Sequence, residues 1–71
     1  MEEIIINTET IQLDQFLKWA GVVDSGGQAK ELIADGMVAV NGVTVGERRK
    51  KLHSGDVVVV KGGGSWKIAG A

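Results

Sequence analysis

The apolar positions of this chain follow a short β-branched run, then a helical period, then an alternating one. Ile4, Ile5 and Ile6 stand in a row and predict a short first strand. After a polar lead-in at Thr8 to Thr10, residues Leu13, Phe16, Leu17 and Ala20 recur at i, i+3, i+4 and i+7, the spacing of one helix face. Gly21 stands where a left-handed C-terminal cap is required. Ser25 followed by Gln28 has the form of a capping box, and Ala29, Leu32 and Ile33 repeat the apolar face until Gly36 stops it. About four residues, Gly21 to Asp24, join the two predicted helices, so they are expected to be close neighbours.

Beyond Gly36 the period changes to two. Val38, Val40, Val43 and Val45 flank Asn41-Gly42, whose residue types suit a two-residue hairpin turn with both φ positive. That turn pairs Val40 with Val43 and Val38 with Val45, and it places all four valines on one face, expected to be the core. Gly46 to Lys51 is a polar connection, Ser54-Gly55-Asp56 a turn, and Val57 to Val60 a buried strand. Gly62 to Gly64 forms a loop or hairpin tip before a last strand, Ser65 to Ala69, with Trp66 and Ile68 on one face. The predicted order is strand, helix, helix and four strands. This is an α+β fold, a helix pair on a small, mainly antiparallel β-sheet.

With 71 residues the chain has room for one domain, 1–71, and a thin core. Zero cysteines exclude disulfides, thiol chemistry and cysteine-based zinc sites, and the single histidine, His53, cannot build a metal cluster. No cofactor and no small-molecule substrate are expected. Three aromatics, Phe16, Trp19 and Trp66, are too few for a row of base-stacking rings. The acidic start and apolar runs of three or four residues give neither a signal peptide nor a membrane span. The expected location is the cytoplasm.

The net charge of −1 hides an uneven distribution. Residues 1–35 carry seven carboxylates against two lysines, whereas residues 36–71 carry six cations against two carboxylates. Either the surface is dipolar and steers a charged partner, or the two halves interleave in the fold. The densest feature is Arg48-Arg49-Lys50-Lys51. Such a run is a solvated face or a set of phosphate contacts, which need clustered cations and no sequence code. Lys18 and Lys30 lie outside the apolar stripes of their helices and could extend the patch.

Other constellations fail on chemistry. Gly21 to Gly26 has phosphate-loop spacing, but Gly27 and Gln28 stand where lysine and a hydroxyl are needed. His53, Ser54 and Asp56 are too close in one turn to form a catalytic relay, so no enzyme is expected. Trp19 falls off the apolar face of its helix. Packing of its edge on a neighbouring segment is favoured over a stacking ring at the margin of an RNA site.

The succession Leu13-Asp14-Gln15-Phe16-Leu17-Lys18, Ser25, Ala29-Lys30-Glu31-Leu32-Ile33, Gly36, Val38-x-Val40-Asn41-Gly42 and Leu52-x-x-Gly55-Asp56-Val57 resembles the S-four RNA-binding domain. This is the αL motif of the fourth small-subunit ribosomal protein, also attached to pseudouridine synthases and bacterial tyrosyl-tRNA synthetases. The match runs from about Ile11 to Val60 (residues 11–60), and the chain is similar to small stand-alone bacterial members of the family. The resemblance implies a non-enzymatic module that docks structured RNA (ribosomal RNA, a ribosomal precursor particle or tRNA) through the helix pair and the basic segment. Two residues depart from the pattern. Gln12 and Gly26 stand where the family often has arginine, and Gln12 keeps only an amide able to hydrogen-bond. The candidate RNA-binding residues are therefore Gln12, Lys18, Lys30, Arg48, Arg49, Lys50 and Lys51. The alternative is a protein-interaction module that kept the fold and lost RNA affinity.

Overall fold

The computed structural model describes residues 1–70, in which two helices and seven strands follow the order ββααβββββ. Strands β1 (Glu2–Ile6), β3 (Val38–Val40), β4 (Val43–Thr44), β6 (Val57–Val60) and β7 (Gly64–Gly70) form one sheet in the order β1-β7-β6-β3-β4. Only the β1–β7 pair is parallel. A separate antiparallel ribbon joins β2 (Thr10–Gln12) to β5 (Lys51–His53).

Both helices are defined by their ends. In α1 (Leu13–Trp19), the Val22 N–H donates to the Leu17 carbonyl at 2.9 Å and the Gly21 N–H to Lys18 at 3.1 Å, a Schellman closure with Gly21 at φ +77°. In α2 (Gly26–Ala34), the Met37 N–H reaches Leu32 and the Gly36 N–H reaches Ile33, each at 3.1 Å, with Gly36 at φ +72°. Ser25 Oγ accepts from the Gln28 N–H at 3.3 Å, as the capping box predicts. The return bond is displaced by one residue: Gln28 Oε1 accepts from the Asp24 N–H at 2.7 Å.

One face of the large sheet is covered by the helices. Its inward residues, among them Ile6, Val38, Val58, Trp66 and Ile68, pack with Phe16, Leu17, Ala29 and Ile33 in one buried cluster that also contains Leu52 of the ribbon. The acidic and basic halves of the sequence interleave, since β1 lies against β7 and Glu3 stands opposite Lys67.

Three expectations change. The chain has seven strands rather than five, because Thr10 to Gln12 and Lys51 to His53 pair as three-residue strands too short to show a period. The hairpin registers Val40 with Val43, and the Val45 N–H donates to the Val38 carbonyl at 3.0 Å. Yet Val43 is 66% exposed rather than core, because β4 is a two-residue edge strand at a corner no other element covers. Trp19 is not packed away either. It is 58% exposed in the last turn of α1, and only its ring edge reaches β1, where Nε1–H donates to the Ile5 carbonyl at 3.0 Å.

Candidate nucleic-acid interface

The basic run is placed by its backbone. Gln12 precedes α1 as N-cap residue without capping it through its side chain, so the first N–H groups of the helix need other acceptors. The loop before β5 supplies them: the Leu13 N–H donates to the Lys50 carbonyl and the Asp14 N–H to the Arg48 carbonyl, both at 2.9 Å. Main-chain oxygens of the cationic loop thereby close the start of α1. The side chains of Arg48, Arg49, Lys50 and Lys51 all remain exposed.

These four cations do not share one surface. Arg48 and Arg49 line a groove of about 360 Å³ with Lys30, Ile33, Ala34, Gly46 and Glu47, so α2 and the loop bring three cations together around one carboxylate. Lys50 lies instead in the groove beside the β3–β4 hairpin, with Asn41 and Thr44. Lys51 opens β5 directly opposite Gln12, and Thr10 stands opposite His53 two positions along. In an antiparallel ribbon these four side chains share a face, while Ile11 and Leu52 take the other. Lys18 joins none of them: it lines a groove of about 540 Å³ with Gln15, Trp19, Ile6, Asn7, Thr8, Thr10 and Ile11.

Sequence reasoning missed the ribbon face and the clamp that holds it. Asn41, at φ +52° in the hairpin turn, accepts on Oδ1 from the Val57 N–H at 2.9 Å and donates through Nδ2 to Asp56 Oδ1 at 3.1 Å. Asp56 Oδ2 accepts from the His53 N–H at 2.8 Å, tying the end of β5 to the hairpin. Burial by itself raises the Asp56 pKa; the His53 and Asn41 hydrogen bonds, with the charges of His53 and Lys50, outweigh it and hold the carboxyl below its ordinary value. Ser54 Oγ accepts from the Gly70 N–H at 3.1 Å and so secures the end of β7. Asp56 and Ser54 are thus spent on structure. Among the described residues no group of three or more His, Cys, Asp or Glu could hold a metal ion. Nor is any described helix long and apolar enough to cross a membrane.

A helix pair on one face of a small mixed sheet, with a cation-bearing loop closing the first helix, defines an α+β module. Residues 4–69 match the model of the S4 domain, and the chain belongs to that family. It is 46% identical over 65 residues, 92% of each chain, to a probable ribosome maturation protein, RlbA, of Bacillus subtilis (strain 168). Among solved structures, ribosomal protein S4e of the 30S subunit from Thermoplasma acidophilum superposes with a TM-score of 0.63 at 25% identity. That match covers 86% of this chain and 32% of the ribosomal protein, so the present chain spans about a third of that neighbour.

Proposed function

We propose that this protein is a non-enzymatic RNA-binding module that docks a structured RNA through phosphate contacts. The observation that carries this reading is the gathering of Lys30, Arg48 and Arg49 in one groove, in a chain of the S4 domain family. Clustered cations with no base-reading side chains between them position an RNA backbone without encoding sequence. Lys51 and Gln12 on the ribbon supply a charge and an amide for the same backbone. The relative named for ribosome maturation and the likeness to a ribosomal protein favour ribosomal RNA or a ribosomal precursor particle over tRNA. The cytoplasm is the compartment consistent with such a target.

The test is the salt dependence of binding to a stem–loop RNA. Log affinity should fall linearly with log salt, with a slope of about −0.7 to −0.9 per phosphate contact. Replacing Arg48 and Arg49 together by Ala should weaken binding and flatten that slope by nearly two contacts' worth, with the melting temperature almost unchanged. A wild-type affinity indifferent to salt would instead favour a protein partner.

A further inference from the structure

Among the described residues Trp19 is the one large aromatic ring at the surface, besides the smaller imidazole of His53; Phe16 is fully buried and Trp66 is 8% exposed. Its position is fixed rather than loose. The Nε1–H is satisfied by the Ile5 carbonyl, so the indole has no polar atom left to offer and presents its π surface alone. The groove in front of it has Ile6 and Ile11 as apolar wall, the hydroxyls and amides of Thr8, Thr10, Asn7 and Gln15, and one cation, Lys18. Its volume, about 540 Å³, lies within the roughly 300–1,000 Å³ of small-ligand clefts. The groove borders the ribbon, because β2 contributes Thr10 and Ile11 to it and, at the next residue, sets Gln12 opposite Lys51.

We propose that this groove takes one unpaired nucleobase of the bound RNA, stacked on the indole of Trp19, with Lys18 against the adjoining phosphate. The inference rests on the RNA-binding reading above and adds a requirement to it: a duplex cannot deliver a base into the groove, whereas a loop or bulge can. A planar, polar-edged occupant fits a fixed π face beside amides and hydroxyls. The single neighbouring cation matches the single phosphate such a nucleotide brings. The cation groove then sets affinity for the RNA backbone, and the Trp19 groove sets preference for unpaired RNA.

The experiment compares a stem–loop RNA with the fully paired duplex of the same stem, using the intact chain. Trp19→Ala should weaken stem–loop binding by about 5- to 100-fold, leave duplex affinity alone and keep the salt slope, since stacking releases no counterions. Trp19→Phe keeps a ring but gives up the bond to Ile5, so it should stay within a few-fold of wild type. Wild-type tryptophan emission should be quenched by the stem–loop and not by the duplex, because Trp66 is shielded in the core. The base site is overturned if Trp19→Ala binds the stem–loop like wild type while binding remains salt-dependent, or if Trp19→Ala loses both RNAs equally. It is equally overturned if emission does not respond to the stem–loop, a result that stands even where the Ala variant fails to fold. If wild type shows no salt-dependent binding to either RNA, the RNA-binding reading itself falls and takes the base site with it.

Discussion

Two of the grooves that border the helix pair are built from opposite materials. The one between α2 and the cationic loop has three cations and no ring, whereas the one between α1 and the β1–β2 turn has a tryptophan and a single lysine. In the proposals made above, the first holds phosphates of any sequence and the second discriminates paired from unpaired RNA. On that proposed reading, a small protein with few aromatics separates affinity from selectivity by placing charge and π surface in different grooves of one scaffold.

The comparison breaks most completely if the shared scaffold is removed. Leu17 is fully buried beneath α1, in the core cluster that also holds Ala29 and Ile33 of α2. Leu17→Ala should cost about 2–5 kcal/mol, a large share of what a domain of this size possesses. Thermal or urea denaturation measures it, and both RNA-binding effects should decline together in the variant. Wild-type stability in Leu17→Ala would mean that the grooves do not depend on this packing.

The helix pair was legible in the sequence because its determinants are local. Gly21, Ser25, Gln28 and Gly36 act on residues three to five positions away, and each performs the capping its type predicts, except that the Gln28 side chain reaches Asp24 rather than Ser25. The Asn41-Gly42 turn was legible for the same reason, both residues having positive φ. The interface was not, because its arrangement depends on partners distant in sequence. Nothing near Arg48 says that its carbonyl will close α1, and nothing near Lys51 says that Gln12 will lie opposite. The basic run was visible as composition, but its division among three surfaces follows from the turn in which it sits. Trp19 meets a neighbouring segment by its edge as expected, at the Ile5 carbonyl, but the burial usual for tryptophan does not follow, since the residue is exposed in the last turn of α1.

A second variant sharpens the comparison by adding charge to one side only. Gly26 opens α2 four residues before Lys30 and eight before Ala34, so all three lie on one stripe of the helix leading into the cation groove. A side chain there meets open space, and the backbone carries no left-handed strain. Gly26→Arg gains less than about 1 kcal/mol of helix propensity, because Gly26 is the first residue of α2 rather than an interior one. It loses about 0.3–1 kcal/mol to the positive end of the helix dipole, so the melting temperature should barely move. Affinity for stem–loop and duplex should rise alike, and the salt slope should steepen by about one contact. A gain confined to the stem–loop would show that the two grooves are not separable.

The smallest effect tests whether the ribbon is held independently of either groove. Asp56 joins the hairpin to β5 through Asn41 and the His53 N–H, and its pKa is lowered in the folded protein. A carboxylate with a depressed folded pKa contributes stability that is fully present above the unfolded value, about 3.9, and is lost as pH falls through the folded value. The melting-temperature difference between wild type and Asp56→Asn should therefore be constant near neutrality and shrink only below the ordinary aspartate range. Because the clamp touches neither Trp19 nor the Lys30–Arg48–Arg49 groove, the selectivity of Asp56→Asn for stem–loop over duplex should match wild type at neutral pH. Loss of that selectivity would show that the position of β2, fixed through β5, sets the shape of the Trp19 groove as well.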